Sequence, residues 1–181
     1  MVRTFRIQLF SKENFIAALR WVCITSLLVA VIIYVETNLL SIAIVRGNSM
    51  YPTMKEGDVL LTSRINVIPE SGEIVLIKTP DTYHESEYIV KRVIATGGET
   101  ITIDYDQNLV SVDGKPLLEL YINLENEDPM QNDELISVDY VVPDGYIFVM
   151  GDNRNFSVDS RSENISFIPE KDIIGKLILR I

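Results

Sequence analysis

Three short segments carry the side chains with chemistry to offer. The first, Val45-Arg-Gly-Asn-Ser-Met-Tyr-Pro-Thr53, bends at Gly47 and stiffens at Pro52, so it presents the Ser49 hydroxyl on a constrained turn. A turn serine that merely bonds its own backbone has the same local signature. The second, Tyr88-Ile-Val-Lys-Arg-Val-Ile-Ala95, sets Lys91 among large apolar residues. Strand alternation sends Ile89, Lys91 and Val93 to one face and Val90, Arg92 and Ile94 to the other. Either Lys91 guards an edge strand against aggregation, or apolar neighbours desolvate its ammonium and lower its pKa. Service as a base near neutrality requires a fall from about 10.4 to about 7–8, roughly 4 kcal/mol. The third, Gly151-Asp-Asn-Arg-Asn-Phe-Ser-Val-Asp-Ser-Arg161, crowds charges and hydroxyls at the end of the apolar run Tyr146–Met150. It reads as a polar surface loop, or as a supporting layer in which Ser157 meets a lysine amine while Asp and Arg residues pair.

Composition removes several other chemistries. A single cysteine, Cys23, forbids an internal disulfide and a cysteine-based zinc cage. A single histidine, His84, rules out a multi-histidine metal site, and its polar surroundings from Thr79 to Glu87 leave a Ser-His-Asp triad as its one catalytic use. No metal or organic cofactor is expected. The formal charge of −10 makes a nucleic-acid partner a poor expectation, because a polyanion is repelled.

These segments need elements to hold them. At 181 residues the chain is sized for one main domain. Residues 15–35 form an apolar run interrupted only by Arg20 and closed by Glu36, so 15–36 matches the roughly 20 residues of a transmembrane helix. Arg20 lies near one end, where its stem can snorkel to the headgroups. Arg3, Arg6 and Lys12 precede the run, so the positive-inside rule puts residues 1–14 in the cytoplasm and the remainder outside. A cleaved signal peptide is the alternative, with Ser41 and Ala43 as a small-x-small pair, but the run exceeds the roughly 7–15 residues of an ordinary h-region. A buried amphipathic helix would need a polar face, which Trp21–Val35 lacks.

The first 36 residues carry four basic and two acidic side chains, leaving the rest at a net charge of −12. That remainder, 37–181, reads as mostly β. Candidate strands are Ser41–Arg46, Asp58–Ser63, Glu73–Lys78, Glu87–Ala95, Thr100–Asp104, Leu109–Val112, Tyr146–Met150 and Ile173–Arg180, punctuated by Gly-containing turns. Asp113-Gly114 between two alternating runs predicts a hairpin. Residues 119–140 are acidic and weakly patterned, suiting an exposed loop or part of a peripheral β excursion spanning about 96–145.

Taken together and in this order, the segments resemble the type I signal peptidases of bacteria, membrane-anchored serine proteases that remove signal peptides from exported proteins. Ser49-Met50-x-Pro52-Thr53 is similar to the family's nucleophile motif, Lys91-Arg92-Val93-Ile94 to its lysine motif, and Gly151–Arg161 to its last box. The resemblance implies a coiled antiparallel β-sheet catalytic domain behind one transmembrane helix, in the plasma membrane with the catalytic domain extracytoplasmic. It implies Ser49 as nucleophile, Lys91 as general base and Ser157 as the hydroxyl that orients the amine. The Ser49 N–H is the implied oxyanion donor, with Gly47 where some members add a hydroxyl, a glycine common in Gram-positive members. Asp152 with Arg92, and Asp159 with Arg161, are implied scaffold ion pairs. Val45, Met50, Ile89 and Val90 fall near the implied pockets for small residues before the cut, and ordinary core packing explains the same four. The implied partners are signal peptides and the bilayer, with secretion or pilus-assembly machinery a further possibility.

Three departures from the family pattern stand out. Ala95-Thr-Gly-Gly98 replaces Gly-x-Pro-Gly after the lysine motif, the stretch 162–169 is longer than usual and could alter access to the site, and the chain ends soon after Gly175-Lys176. Two other readings use the same residues. One is a non-proteolytic accessory of surface-protein or pilus assembly on this fold, against which stands the presence of both Ser49 and Lys91. The other is a self-cleaving repressor-type Ser/Lys protein, which calls for a DNA-binding amino-terminal domain where this chain has an apolar run.

Overall fold

The computed structural model describes residues 12–65, 67–81, 83, 85–122, 130 and 137–181. His84 and most of 119–140 lie outside the described residues. The chain divides into two compact units, one ending at Leu39 and the other running from Leu40 to Ile181.

Among the described residues the first unit is one helix, α1 (Lys12–Asn38), longer at both ends than the apolar run alone suggests. At 1.5 Å per residue its length is about 40 Å, more than the hydrocarbon thickness of a bilayer. No residue in it is buried, and large apolar side chains such as Trp21, Leu27 and Ile33 stand exposed around it. Its threonine and serine hydroxyls bond the helix's own carbonyls, Thr25 to Trp21 and Val22, Ser26 to Cys23, and Thr37 to Ile33 and Tyr34. A helix whose mid-span hydroxyls bond its own backbone, and whose surface is mostly apolar, suits an environment without water.

The second unit is β. Its strands are β1 (Leu40–Ile44), β2 (Val59–Ser63), β3 (Ile74–Lys78), β4 (Tyr88–Thr96), β5 (Thr100–Asp104), β6 (Leu109–Val112), β7 (Lys115–Pro116), β8 (Ser137–Val141), β9 (Tyr146–Met150), β10 (Ile168–Pro169) and β11 (Ile173–Arg180). They form an antiparallel seven-stranded sheet in the order β1-β2-β11-β3-β4-β9-β10 and a four-stranded one in the order β7-β6-β5-β8. Eight strands sit where the alternation predicts them, within a residue or two at each end. The two-residue strands β7 and β10 are too short to show a period, and β8 lies in the acidic stretch whose pattern is weak.

The Asp113-Gly114 hairpin forms as its chemistry dictates. Both residues have positive φ, 49° and 72°, as a two-residue turn matching strand twist requires, and Val112 pairs with Lys115 across it. The Ala95–Gly98 departure is likewise a tight contact. A side chain on Gly97 would come within 2.9 Å of the Asp144 backbone, so glycine lets the turns 96–99 and 143–145 meet. Segment 162–169 contributes Ile165 and Ile168 to the core with Val75, Ile77, Val93 and Val149.

Two further apolar groups complete the unit. One joins the small sheet to the large one through Ile101, Ile103, Val110, Ile94 and Phe148, with Tyr140, Phe148 and Phe167 packed ring to ring. The other packs Val45, Met50 and Met54 on Leu60 and Ile74, seating the turn that carries Ser49. The Ser49 hydroxyl therefore sits on a turn clamped at both sides by buried side chains.

Candidate active site

β1 is an edge of the large sheet, four strands removed from β4, yet residues 41–50 and 88–91 line one groove. The sheet must therefore curl to bring them together, with Leu76 of β3 and Ile174 of β11 also in the lining. The open volume is about 1180 Å³. Ser49, Lys91, Gly47, Val45, Met50, Ile89 and Val90 all line it, and so do Phe156 and Val158. No residue of 162–169 does, so that longer segment fills core and leaves the groove walls to others.

Lys91 is 3 % exposed. It pairs with Val75 on β3, while the β9 ladder begins only at Arg92. An aggregation-blocking lysine would face water; this one is enclosed. Its amine hydrogen-bonds Ser157 Oγ at 3.0 Å across 66 residues of sequence. Burial lowers its pKa to about 8, with Arg161 adding to the fall and Asp159 and Asp152 opposing it.

Gly151 explains how the third segment reaches the first. A Cβ there would lie 2.3 Å from Ser157 Oγ and 2.4 Å from the carbonyl oxygen of Ser49. Only a residue without a side chain lets the two serine segments and the end of β9 converge. The contact is then stitched from both sides. The Asn153 N–H donates to the Ser49 carbonyl at 3.0 Å, and Asn153 Nδ2 donates to the Asn48 carbonyl at 3.0 Å. Gly47 takes a positive φ of 76° at the bend before them.

Both expected ion pairs meet as two-pronged contacts. Arg92 donates from Nε and Nη2 to Asp152 at 2.8 and 2.6 Å, and Arg161 donates from Nε and Nη2 to Asp159 at 2.7 and 2.8 Å. Burial alone would raise the Asp159 pKa, but the Arg161 charge, its hydrogen bonds and the Gly151 N–H hold it below the ordinary value. A fully buried pair gives little net stability, because desolvation offsets the attraction, but it fixes geometry. Here it fixes the strand-end loop that carries Ser157.

Several contacts around these motifs are not legible in the sequence. Thr53 donates its hydroxyl to Asp152. Arg154 is buried against Glu119, and the Tyr121 ring lies 3.8 Å from the Arg92 guanidinium. The 118–121 stretch alternates, but in the inverse sense to a core strand: Leu118 and Leu120 are each 80 % exposed while Glu119 and Tyr121 turn inward. Alternation could have located this stretch; its direction is set by arginines distant in sequence.

Among the described residues no group of His, Cys, Asp and Glu is arranged to hold a metal. A curled β-sheet whose groove is lined by a turn serine and a buried lysine has the parts of a serine peptidase. The chain belongs to the signal peptidase family, peptidase S26, whose profile matches residues 18–181. It is 36 % identical over 142 residues to a probable signal peptidase I-1 of Synechocystis, covering 74 % of this chain and 67 % of that one. It is 36 % identical over 138 residues to a signal peptidase I of Bacillus amyloliquefaciens, covering 73 % and 68 %. The chain thus spans about two thirds of the length of these relatives. A crystal structure of a signal peptidase I from Enterococcus faecalis aligns with a TM-score of 0.49 at 24 % identity, over 61 % of this chain and 97 % of that one.

Proposed function

We propose that this chain is anchored by α1 with its amino terminus in the cytoplasm, and that it removes signal peptides from exported preproteins after small-x-small, Ala-x-Ala-like sites. Ser49 is the nucleophile and Lys91 the general base. The neutral amine takes the Ser49 hydroxyl proton as Oγ bonds to the scissile carbonyl carbon, and the resulting ammonium returns a proton to the departing amine. Water then adds to the acyl-enzyme by the same route, releasing the carboxylate and restoring the serine. Ser157 accepts a hydrogen bond from the amine and aims it. The Ser49 N–H stabilises the developing oxyanion.

The observation that carries this reading is the buried Lys91 amine, held by Ser157 in a groove that Ser49 also lines. An extended peptide suits that groove. Among the described residues the register leaves β1 with a partner on one side and Tyr88–Lys91 of β4 with β3 alone, so backbone there is available for strand addition. Val45, Met50, Ile89 and Val90 shape shallow apolar pockets that admit alanine and exclude larger residues by overlap. Anchoring confines enzyme and preprotein to one membrane, which raises their effective concentration.

The test is incubation of the purified full-length protein in detergent with a preprotein bearing an Ala-x-Ala site. Release of the mature fragment, and its loss in Ser49→Ala, is the expected result. An intact preprotein with the wild-type enzyme, or cleavage that survives Ser49→Ala, counts against the proposal.

A further inference from the structure

The inverted stretch Leu118-Glu-Leu-Tyr121 points two side chains at the arginines that organise the third motif. Glu119 accepts from both Arg154 terminal nitrogens, Nη1 at 3.0 Å and Nη2 closer still, and the pair is almost fully enclosed. The Arg154 Nε donates to the Gly151 carbonyl at 3.2 Å, and the Arg154 carbonyl accepts from Arg161 at 2.6 Å. The Tyr121 hydroxyl bonds Glu119 at 3.0 Å, while its ring covers the Arg92 guanidinium that grips Asp152. Two residues from outside the three motifs therefore close on Arg154 and Arg92 at once.

Neither Glu119 nor Tyr121 lines the groove. Their influence on chemistry must pass through the loop they hold. A buried guanidinium without its carboxylate is expelled toward water, and Arg154 would drag the Gly151 carbonyl with it. Gly151 backs onto both the Ser157 side chain and the Ser49 carbonyl, so a displacement there is felt by both serines. Exposing two leucines is the visible cost of turning the acid and the tyrosine inward.

We propose that Glu119 and Tyr121 are positioning residues for the Ser49/Lys91 reaction: as a strap across Arg154 and Arg92, they fix the loop Gly151–Arg161 that presents Ser157 to the lysine amine. This rests on the peptidase reading above. It assigns a role in turnover to a segment that the catalytic motifs do not include.

The experiment measures kcat and KM on a preprotein with full-length wild type, Glu119→Gln, Tyr121→Leu and Tyr121→Phe, alongside amide hydrogen exchange of residues 151–161 and of the β-core. Glu119→Gln and Tyr121→Leu should lower kcat about tenfold to hundredfold with KM nearly constant, as a misplaced catalytic group does. Exchange should quicken in 151–161 while β3, β4 and β9 stay protected. Tyr121→Phe keeps the ring over Arg92 and should restore kcat to within about threefold of wild type. Folded variants with unchanged kcat and unchanged exchange in the loop would overturn the proposal, as would a rise in KM alone or a Tyr121→Phe as slow as Tyr121→Leu. Should the wild type fail to cut, the peptidase reading falls, whereas loop exchange in the variants still decides whether the strap holds Gly151–Arg161.

Discussion

At the scale of the residue, the amine of Lys91 carries the most consequence. Its ordinary pKa of 10.5 falls to about 8, chiefly through burial, so the free base grows as pH rises through that value. The kcat/KM of cleavage should climb about tenfold per pH unit below 8 and level off above it. A profile flat from pH 6 to 9 would contradict a lysine base. The same depression acts on stability, with the sign opposite to that of a paired lysine. Below pH 8 the folded state holds a buried ammonium that the unfolded chain would solvate, at a cost of about 3 kcal/mol for a fall of this size. That cost fades between pH 8 and 10.5 as the unfolded state becomes the one that binds the proton. Lys91→Met should therefore abolish turnover and stabilise the fold at pH 7 by about 2 kcal/mol, after about 1 is lost with the Ser157 hydrogen bond. The gain should vanish by pH 10.5. Denaturant unfolding at the two pH values measures it, and a variant less stable than wild type at pH 7 would overturn the account.

At the scale of the element, strand positions follow from local pattern, whereas the partnership of strand ends does not. Short runs of β-forming apolar residues locate β4 and β9, and turn residues bound them. That β9 takes up β4 only from Arg92, leaving Lys91 clear of the ladder and turned to Ser157, follows from a register between segments about 60 residues apart. Gly151 shows how tight the join is. Gly151→Ala should set Cβ against Ser157 and the Ser49 carbonyl at distances that no relaxation of one flexible side chain relieves. A loss of kcat of about a hundredfold or more is expected, with KM changing less, because the two serines are displaced together. Near-wild-type turnover in steady-state assays of Gly151→Ala would mean that the convergence at Gly151 is slack. The stretch 118–121 teaches the converse lesson. Its period is legible, but the side that faces inward is chosen by Arg92 and Arg154, whose burial demands partners more strongly than two leucines demand cover.

At the scale of the whole molecule, the apolar helix and the acidic β unit divide the labour of location and chemistry. Deleting residues 1–38 should leave cleavage of a short soluble peptide within about twofold, since every groove residue lies beyond Leu40. It should slow processing of a preprotein embedded in vesicles much more, because confinement to a shared surface is lost. Equal losses on both substrates would show that the helix does more than anchor.

The amino-acid sequence by itself determined the apolar span, eight of the strands and the three motifs, since hydrophobic period, turn chemistry and residue type are properties of neighbours along the chain. It also placed the charges that pair as Arg92 with Asp152 and Arg161 with Asp159, through likeness to a family. Tertiary structure alone decided the curl that joins β1 to β4, the convergence of the two serine segments on Gly151, and the inward turn of Glu119 and Tyr121. Those depend on contacts between residues 35 to 105 positions apart, and on which buried charge must be satisfied by whom. No local rule contains that information, because desolvation is settled only when the whole sheet has closed around the site.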